Sequence, residues 1–443
     1  MRERQDVILG GGLSGLTAAY TLQAAGEDHW QLYEREARVG GLARSIAVDG
    51  YLFDFGPHIL FTIDVEMEAL IRDLLGDNFH AQERQAFIYH HACDRYTRFP
   101  FQAHLHGLPV PIVKDCLLGL LHAAQLQARG EFHPRNYEEW MRGFFGDGIA
   151  DHLMIPYARK IWTVEPSEMD FSWIGRRVPT PDFERILLGA LTDDVSQVGA
   201  TAYFWYPKRG AIEPLPRALG ERIHNVHLNR AAERIELPAK NVVFRDGLVV
   251  PFERLILSLP LHRIPELVTG VPPEVERACR GLRYQGIYCV NLGIDRENIS
   301  DKHWVYFYED LFPFHRLSFP AAFSPDTVPP GKSSIATEVA FSRDRPLDRD
   351  AAVTRTIEAL RQAKILHPDD KIELVHTEEI LPAYVIYDLD HAKNVGTIRS
   401  WLKENGIWSV GRFGEWQYFN MDHSMRSGKT AALEILAGRN VGR

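Results

Sequence analysis

The sequence lacks the cysteine patterns that would indicate a metal site or a disulfide framework. Its 443 residues include only four cysteines, with no CxxC pair and no close histidine ligand pattern: Cys93, Cys116, Cys279 and Cys289. Scattered cysteines are typical of free thiols in a reducing compartment. We therefore predict no bound metal.

Long apolar runs and an excess of basic residues are also missing. The longest apolar stretch, CLLGLLHAAQL from Cys116, follows Asp115, contains His122 and is too short to span a membrane. The formal net charge of −9 argues against nucleic-acid binding, because the phosphate backbone is recognised by basic surfaces. The opening MRERQDVILGGG enters a predicted strand at once and leaves no room for a signal peptide. We expect a cytoplasmic globular protein that binds neither membrane nor nucleic acid, with its oligomeric state open.

A nucleotide-binding pattern begins at residue 6. DVILGGGLSGLTAAYTLQAAG predicts a buried strand, a glycine turn and a helix, with Gly10, Gly12 and Gly15 forming GxGxxG. Gly10 allows the tight turn, Gly12 lets the backbone approach a pyrophosphate, and Gly15 lets the helix meet the strand. Glu34 follows the apolar HWQLYE at the distance expected for a carboxylate that accepts from a ribose hydroxyl.

A second glycine turn, at Gly40 and Gly41, is followed by Arg44. Its spacing from Glu34 resembles the second phosphate-and-flavin loop of FAD enzymes of the amine oxidase and UDP-galactopyranose mutase type. The resemblance implies FAD as the cofactor, with Gly41 and Arg44 among the residues that bind it.

The predicted secondary structure of the rest of the chain changes twice. From about Pro109 to Leu191, apolar residues recur three and four apart and predict an inserted helical bundle, in which Asp147 is expected to cap a helix and Pro156 to break one. From Ala202, runs such as AYFWYP, IYCVNLGI and HWVYFYED predict an antiparallel sheet. Between these runs, strands around a hairpin at Asp246-Gly247 are expected to rejoin the nucleotide-binding sheet.

Several separated segments resemble one family, the flavin-dependent UDP-galactopyranose mutases, particularly the eukaryotic-type ones. In chain order they are FGPHILFT, FPFQ, EEWMRGFFGDGIADHLMIPYARKIWTVEPSEMDFSWIGRRV, PKRG, HWVYFYEDLFPFHR and GRFGEWQYFNMDHS. The last segment is shared with broader amine-oxidase-like and protoporphyrinogen-oxidase-like flavoproteins.

The resemblance implies an α/β fold: an FAD-binding Rossmann-like three-layer domain with an inserted helical bundle and an antiparallel β-sheet substrate domain. The predicted boundaries are 1–70 with 208–268 and 405–443 for the FAD-binding domain, 104–198 for the bundle, and 71–103 with 199–207 and 269–404 for the sheet domain. It also implies that the C-terminal segment closes over the FAD through Arg412, Asn420, Asp422 and Ser424, with the final helix directing its N-terminus at the cofactor.

In that family the reduced flavin N5 attacks the anomeric carbon of a nucleotide sugar, so the protein must stabilise the departing diphosphate. By resemblance, the arginines at the diphosphate are Arg177 and Arg316, and its tyrosine ligands are Tyr306, Tyr384 and Tyr418. Phe101 and Gln102 correspond to the nucleobase site, and Trp162 to an aromatic residue on the sugar side. His58 matches a histidine loop beside the flavin, although a simple turn residue explains it equally well.

Three positions depart from the family pattern: Phe99 replaces a tyrosine, and Ala158 and Thr201 each replace an asparagine. The segment between Tyr418 and Asn420 is also two residues shorter. Because these changes alter which sugar hydroxyls can be hydrogen-bonded, they leave the sugar open.

The leading hypothesis is thus an FAD-dependent nucleotide-sugar mutase that isomerises the pyranose and furanose forms of a UDP-sugar and is reduced by NAD(P)H. The alternative is a flavin oxidase or dehydrogenase of the amine oxidase or protoporphyrinogen oxidase type. Such an oxidase, acting on apolar substrates, should not bury two unpaired arginines. A flavoprotein kept as a scaffold or binding module is a third hypothesis, which absence of turnover with any nucleotide sugar would favour.

Overall fold

The computed structural model describes residues 5–175, 182–193 and 202–440, and only the backbone of residues 439 and 440. Two large sheets and a group of helices make up these residues. The predicted mixed α/β architecture, with one largely parallel and one largely antiparallel sheet, is confirmed.

Seven of the described strands form the first sheet, whose centre is parallel. Gln5–Leu9 lies between Trp30–Tyr33 and Val249–Leu257. Two outer strands pair in parallel: Val226–His227 with Trp30–Tyr33, and Ile407–Ser409 with Val249–Leu257. Two others pair antiparallel: Ala232–Glu236 with Asn241–Phe244, and Asn241–Phe244 with Val249–Leu257. The hairpin at Asp246-Gly247 returns the chain into Val249–Leu257, so its predicted return to the nucleotide-binding sheet is confirmed.

Two helices pack closely on this sheet. Leu13–Ala24 contacts the final helix, Met421–Asn440, along much of its length. A Cβ added at Gly428 would lie 1.9 Å from the carbonyl oxygen of Ser14, so only glycine permits this approach. Helices Val65–Leu75 and Pro214–Glu221 complete the same core, which includes Leu16, Leu215 and Met425.

The second large sheet is antiparallel except for one pairing. In order its strands are Ile372–Val385, Tyr284–Ile294, Ser333–Phe341, Arg316–Ser318, Trp304–Tyr306, Ala86–His90 and Arg95–Arg98, with Trp304–Tyr306 parallel to Ala86–His90. Side chains alternate across Tyr284–Ile294. Val290 and Leu292 join the core beneath helix Arg349–Gln362, whereas Ile287 and Cys289 face Leu42 and Phe55.

The predicted helical segment contains helices Val110–Ala128, Tyr137–Ile149, Ile155–Trp162 and Phe183–Leu191. The expected N-cap at Asp147 is wrong: the segment Tyr137–Ile149 is capped by Asn136, whose side chain accepts from the backbone N–H of Glu139 at 2.9 Å, and the non-helical residue within it is Gly146. The chain does bend there, because Gly146 has φ 77° and meets the backbone of Gly119. A π-helical turn, Ala150–Met154, follows and ends just before Pro156.

The remaining elements are short or peripheral. Two small sheets pair Ser45–Val48 with Tyr51–Asp54 and His80–Glu83 with Tyr203–Tyr206. The other α-helices are Ile264–Leu267, Pro273–Arg280, Pro320–Phe323, His391–Glu404 and Gly411–Gly414. The 3₁₀ turns are His91–Cys93, Phe101–Ala103, Pro166–Glu168, Leu261–Arg263 and Pro325–Thr327.

The strands of each large sheet fall within the ranges predicted for the FAD-binding and sheet domains, although the domain boundaries themselves stay a prediction. In the described part of the chain, no helix is both long and apolar enough to cross a membrane. All four cysteines are free thiols.

Candidate active site

The first glycine loop forms a cradle at the start of a helix. Gly10 has φ 103°, and a Cβ on Gly15 would lie 2.0 Å from the carbonyl oxygen of Gly10. Gly12 is the N-cap of Leu13–Ala24 and supplies no side-chain cap. The first-turn N–H groups of this helix are therefore left for an anion.

Glu34 lies directly beside the cradle, at the end of strand Trp30–Tyr33. One carboxylate oxygen accepts from the backbone N–H of Gly11 at 2.6 Å, and the other from that of Glu36 at 2.9 Å. The residue is 8% exposed. Its carboxylate is thus held in one orientation and keeps lone pairs for ribose hydroxyls.

The second glycine turn packs against the first. Gly40 and Gly41 have φ 124° and 59°, and the Gly40 N–H donates to the carbonyl oxygen of Gly11 at 2.7 Å. A Cβ on Gly41 would stand 3.1 Å from the Cα of Gly12, so any side chain here would enter the cradle. Arg44 closes the turn through a 2.9 Å bond from Nε to the Gly41 carbonyl.

The C-terminal segment joins this cradle to the second sheet. Gly411 (φ 80°) donates its N–H to Ser427 Oγ at 2.8 Å. Arg412 donates from Nε to the Phe419 carbonyl at 2.8 Å and from Nη1 to the Ala383 carbonyl at 3.1 Å. Arg412 is therefore held by backbone on both sides.

The final helix begins beside Arg412. Asn420 is exposed, and its carbonyl accepts from the N–H of Ser424 at 3.0 Å. Asp422 is buried, which raises its pKa, but hydrogen bonds from His423 and Thr62 outweigh burial and lower the pKa below its ordinary value. The cradle of glycines, the uncapped helix and the oriented Glu34 together fit a dinucleotide such as FAD.

Aromatic rings line the side of the site nearest the bundle. Tyr384 and Tyr418 stack with centroids 5.4 Å apart, and the Arg412 guanidinium lies 5.1 and 5.5 Å from their centroids. Trp162 meets the two rings edge-on at 5.9 and 6.0 Å. These three predicted substrate residues therefore lie together, although they come from the bundle, the sheet and the C-terminal segment.

Arg316 forms a buried ion pair that the sequence interpretation missed. Its Nε and Nη2 donate to the two carboxylate oxygens of Glu338, the second at 2.9 Å. The two side chains are 19% and 4% exposed. Burial opposes the positive charge, but Glu338 holds the pKa of Arg316 well above its ordinary value. Nη1 makes no hydrogen bond to any described residue, which leaves its two N–H groups for a ligand.

His58 lies near both arginines, in the turn after strand Tyr51–Asp54. Burial, together with the charges of Arg412 and Arg316, lowers the pKa of His58 to about 4. Its Nδ1 is 2.9 Å from the Gly56 carbonyl oxygen. The imidazole is therefore neutral at pH 7, with Nδ1 as the donor and Nε2 left as an acceptor.

The predicted nucleobase site, formed by Phe101 and Gln102, is less accessible than the tyrosine-lined side of the site. Gln102 is half-buried, whereas the Phe101 ring is 1% exposed and packs 5.7 Å from His90. The ring therefore offers no free face in this conformation, and base stacking by Phe101 stays a prediction. Arg177 and Thr201 lie outside the described residues.

Two residues of the site were not predicted, Glu338 and Tyr157. Glu338 is the one charged residue of the largely buried strand SSIATEVAF, and such a lone acid on a buried strand was the available signal. Tyr157 lies one turn before Trp162 on helix Ile155–Trp162. Its ring meets Tyr306 edge-on at 5.4 Å, which follows from helix packing and has no signal in the sequence.

Comparison with known proteins places the chain in a family. The profile of the family described as flavin containing amine oxidoreductase matches residues 13–436. A crystal structure of reduced UDP-galactopyranose mutase is similar with a TM-score of 0.92 and 28% identity, over 99% of this chain and 94% of that one.

Two curated relatives are named as an oxidase and an oxygenase. Coproporphyrinogen III oxidase of Mycobacterium bovis is 28% identical over 309 residues, which are 63% of this chain. The chain spans 64% of that relative's length. 4,4'-Diapolycopene oxygenase of Methylomonas sp is 44% identical over 368 residues, 70% of this chain and 69% of the relative.

Because the family profile covers nearly the whole chain, the protein belongs to the flavin-containing amine oxidoreductases. It is an FAD-dependent enzyme of that superfamily, as the resemblance of the second glycine turn implied.

Proposed function

We propose that the protein is an FAD-dependent mutase that interconverts the pyranose and furanose forms of a UDP-sugar. The observation that carries the proposal is the environment of Arg316. A buried guanidinium with one unused edge lies among the phenols of Tyr306 and Tyr384. Such a polar, cationic pocket suits a diphosphate better than an apolar substrate.

Similarity to reduced UDP-galactopyranose mutase over almost the full length of both chains also supports the mutase proposal. Arg177, matched through the resemblance, would be the second arginine at the diphosphate. Reduction by NAD(P)H, a cytoplasmic location and a nucleotide-sugar ligand belong to the proposal as well.

The chain's own residues would assist cleavage of the anomeric carbon–oxygen bond. As that bond breaks, negative charge builds on the diphosphate, where Arg316 Nη1 and the tyrosine hydroxyls can donate to it. Bound FAD, in its reduced form, would supply the nucleophile for the anomeric carbon. Neutral His58 would accept a hydrogen bond through Nε2 beside the cofactor, and the aromatic wall of Trp162, Tyr384 and Tyr418 would exclude water.

A second candidate is a flavin oxidase or dehydrogenase. The curated relatives named as oxidases and oxygenases favour it. The ion pair with Glu338 also weakens the objection to an oxidase, because the charge of Arg316 is not left unpaired.

The deciding experiment measures bond cleavage in UDP-sugars. Anaerobic enzyme reduced with dithionite is incubated with UDP-galactose or UDP-N-acetylgalactosamine that carries ¹⁸O between the anomeric carbon and the diphosphate. A mutase moves the label into non-bridging positions and yields the furanose isomer, seen by mass spectrometry and chromatography. We expect Arg316→Ala to abolish both.

Arg296→Ala is the matched control, because Arg296 pairs with Asp370 at 2.7 Å among other elements of the chain. It should leave isotope exchange unchanged. If the wild-type enzyme exchanges no label with any UDP-sugar but consumes oxygen with a porphyrinogen or an amine, the mutase proposal is wrong and the oxidase replaces it. Failure with all of these substrates would instead favour a scaffold.

A further inference from the structure

Lys160 is a buried lysine on the bundle helix Ile155–Trp162. The residue is 2% exposed, and its Nζ donates to the backbone carbonyl of Glu309 at 2.7 Å. No carboxylate in the described part of the chain forms an ion pair with it. The amine of Lys160 is thus held by a backbone oxygen and not by a counter-ion.

Burial makes this position costly for a lysine. It lowers the pKa of Lys160 to about 7, although the charges of Asp310 and Glu309 raise that pKa. Arg345 acts in the same direction as burial. His315 offers no charge either, because burial lowers its pKa well below the ordinary value. Since an apolar side chain would be less costly here, the value of Lys160 lies in the contact that it makes.

The partner of this contact, Glu309, also joins two parts of the second sheet. Its backbone follows strand Trp304–Tyr306, and its Oε1 accepts from the backbone N–H of His91 at 2.9 Å. Tyr306 lies three residues before Glu309 and pairs directly opposite Arg316. A displacement at the Glu309 carbonyl is therefore transmitted over a short segment to the residues around Arg316.

The other contacts of this helix with the site are made by aromatic rings. Tyr157 meets Tyr306 edge-on at 5.4 Å, and Trp162 meets Tyr384 in the same way at 5.9 Å. Among the described residues, Lys160 supplies the one hydrogen bond between helix residues 155–162 and the segment 304–316. Edge-on rings tolerate small displacements, whereas a hydrogen bond fixes both distance and direction.

We infer that Lys160 is a positioning residue for the diphosphate site, because its bond to the Glu309 carbonyl sets the distance between the bundle helix and the segment that carries Tyr306 and Arg316. Lys160 itself does not touch the ligand, since its amine is buried against the backbone. The inference rests on the proposed function, because a nucleoside diphosphate is the anion concerned.

The test measures UDP binding to FAD-loaded protein by isothermal titration. Lys160→Met keeps an unbranched side chain and removes the donor. Because a displaced Tyr306 would donate poorly to the diphosphate, Lys160→Met should weaken UDP binding by about 10-fold, which is about 1.4 kcal/mol. Lys160→Gln keeps an N–H donor and should lose less UDP affinity than Lys160→Met. The FAD absorbance spectrum establishes that each variant is loaded.

A double variant tests whether Lys160 acts through Tyr306. Tyr306→Phe has no hydroxyl to position, so adding Lys160→Met to it should change UDP affinity by less than about 2-fold. A purely structural role would give the same loss with and without the Tyr306 hydroxyl. If Lys160→Met does not retain FAD, Lys160→Gln takes its place in this comparison, and its loss should likewise disappear in the Tyr306→Phe background.

Lys240→Met is the matched control. Lys240 also donates from Nζ to a backbone carbonyl, that of Glu253 at 3.4 Å, but it lies beside the outer strand Asn241–Phe244 of the first sheet. This variant should bind UDP as the wild type does.

The outcomes separate the two claims. If wild-type protein binds UDP and Lys160→Met binds it equally well, or loses the same factor in both backgrounds, the positioning role of Lys160 is wrong while the mutase proposal stands. If wild-type protein binds neither UDP nor inorganic pyrophosphate, both are wrong.

Discussion

At the scale of single residues, the site depends on the ion pair between Arg316 and Glu338. The sequence pointed to Arg316 only through resemblance. The lone acid on its strand set Glu338 apart, but nothing in the sequence indicated that it pairs with Arg316, which lies 22 positions earlier on the neighbouring strand. Pairing in register places Arg316 directly opposite Glu338. Cross-strand neighbours of this kind are decided by sheet register, which local sequence does not specify.

This pair leads to a stability prediction. Arg316→Met leaves the Glu338 carboxylate buried and unpaired, which should lower the free energy of unfolding by about 3–5 kcal/mol. Arg316→Met/Glu338→Gln should recover most of that loss, because no buried charge remains, yet should not bind UDP. Urea denaturation and UDP titration measure the two effects. Equal stability of the single and double variants would contradict the role assigned to Glu338.

At the scale of elements, two helices meet through glycine. Gly428 of Met421–Asn440 lies against Ser14 of Leu13–Ala24, the helix that begins at the cofactor cradle. Gly428 and Ser14 are more than 400 residues apart in the chain. Only the folded sheet brings the two ends together.

We expect Gly428→Ala to separate these helices, because the added Cβ would stand 1.9 Å from the Ser14 carbonyl oxygen. The variant should lose FAD on gel filtration, with a fall in Tm of about 5 °C or more. Gly438→Ala is the control on the same helix, since its Cβ would have no neighbour within 4 Å. It should keep FAD and gain up to about 1 kcal/mol from helix propensity. Full FAD retention by Gly428→Ala would refute the close contact.

At the scale of the whole molecule, several buried histidines determine how stability responds to acid. Burial lowers the pKa of His58, His90, His262 and His303 to about 4 each. His303 accepts from the backbone N–H of Gln85 through Nδ1 at 3.0 Å, so protonation there would break a hydrogen bond. His90, His262 and His303 contact different aromatic rings, those of Phe101, Tyr284 and Phe204, so their effects should add.

Because the folded pKa values lie below the unfolded value of 6.5, the unfolded chain binds more protons between pH 6.5 and about 4. The stabilisation is complete above pH 6.5 and is lost as the pH falls. Asp54, whose pKa burial raises to about 6, acts in the opposite direction below that pH, as do Glu309 and Asp388, whose pKa values burial also raises. Burial lowers the pKa of His227, His315 and His391 as well, so among the described residues the lowered histidines outnumber the raised carboxyls. Tm should therefore fall by roughly 5–10 °C from pH 7 to pH 4.5.

Differential scanning calorimetry across this range checks the expectation. His303→Gln should reduce the slope of Tm against pH, whereas His122→Gln, at an exposed position of Val110–Ala128, should leave it unchanged. A Tm independent of pH between 7 and 4.5 would contradict burial of the neutral histidines.

The sequence alone determined the cofactor and the order of the structural elements. Glycine spacing, the following Glu34 and alternating apolar strands are local patterns, since one turn or one strand suffices to express them. They indicated a dinucleotide site, the parallel sheet, the helical segment and the antiparallel sheet correctly, and the resemblance of the second glycine turn identified the dinucleotide as FAD. The exception at Asp147 arose because Gly146, with its positive φ, bends the helix where a cap was expected.

Only the tertiary structure decided what surrounds the substrate. Tyr157 faces Tyr306 because a bundle helix packs on the sheet, and Glu338 meets Arg316 because two strands pair in one register. The C-terminal Arg412 reaches Tyr384 because the last helix returns to the first. These contacts join residues 22 to 149 positions apart, and the free energy that selects them comes from burial of the whole core, which no local pattern contains.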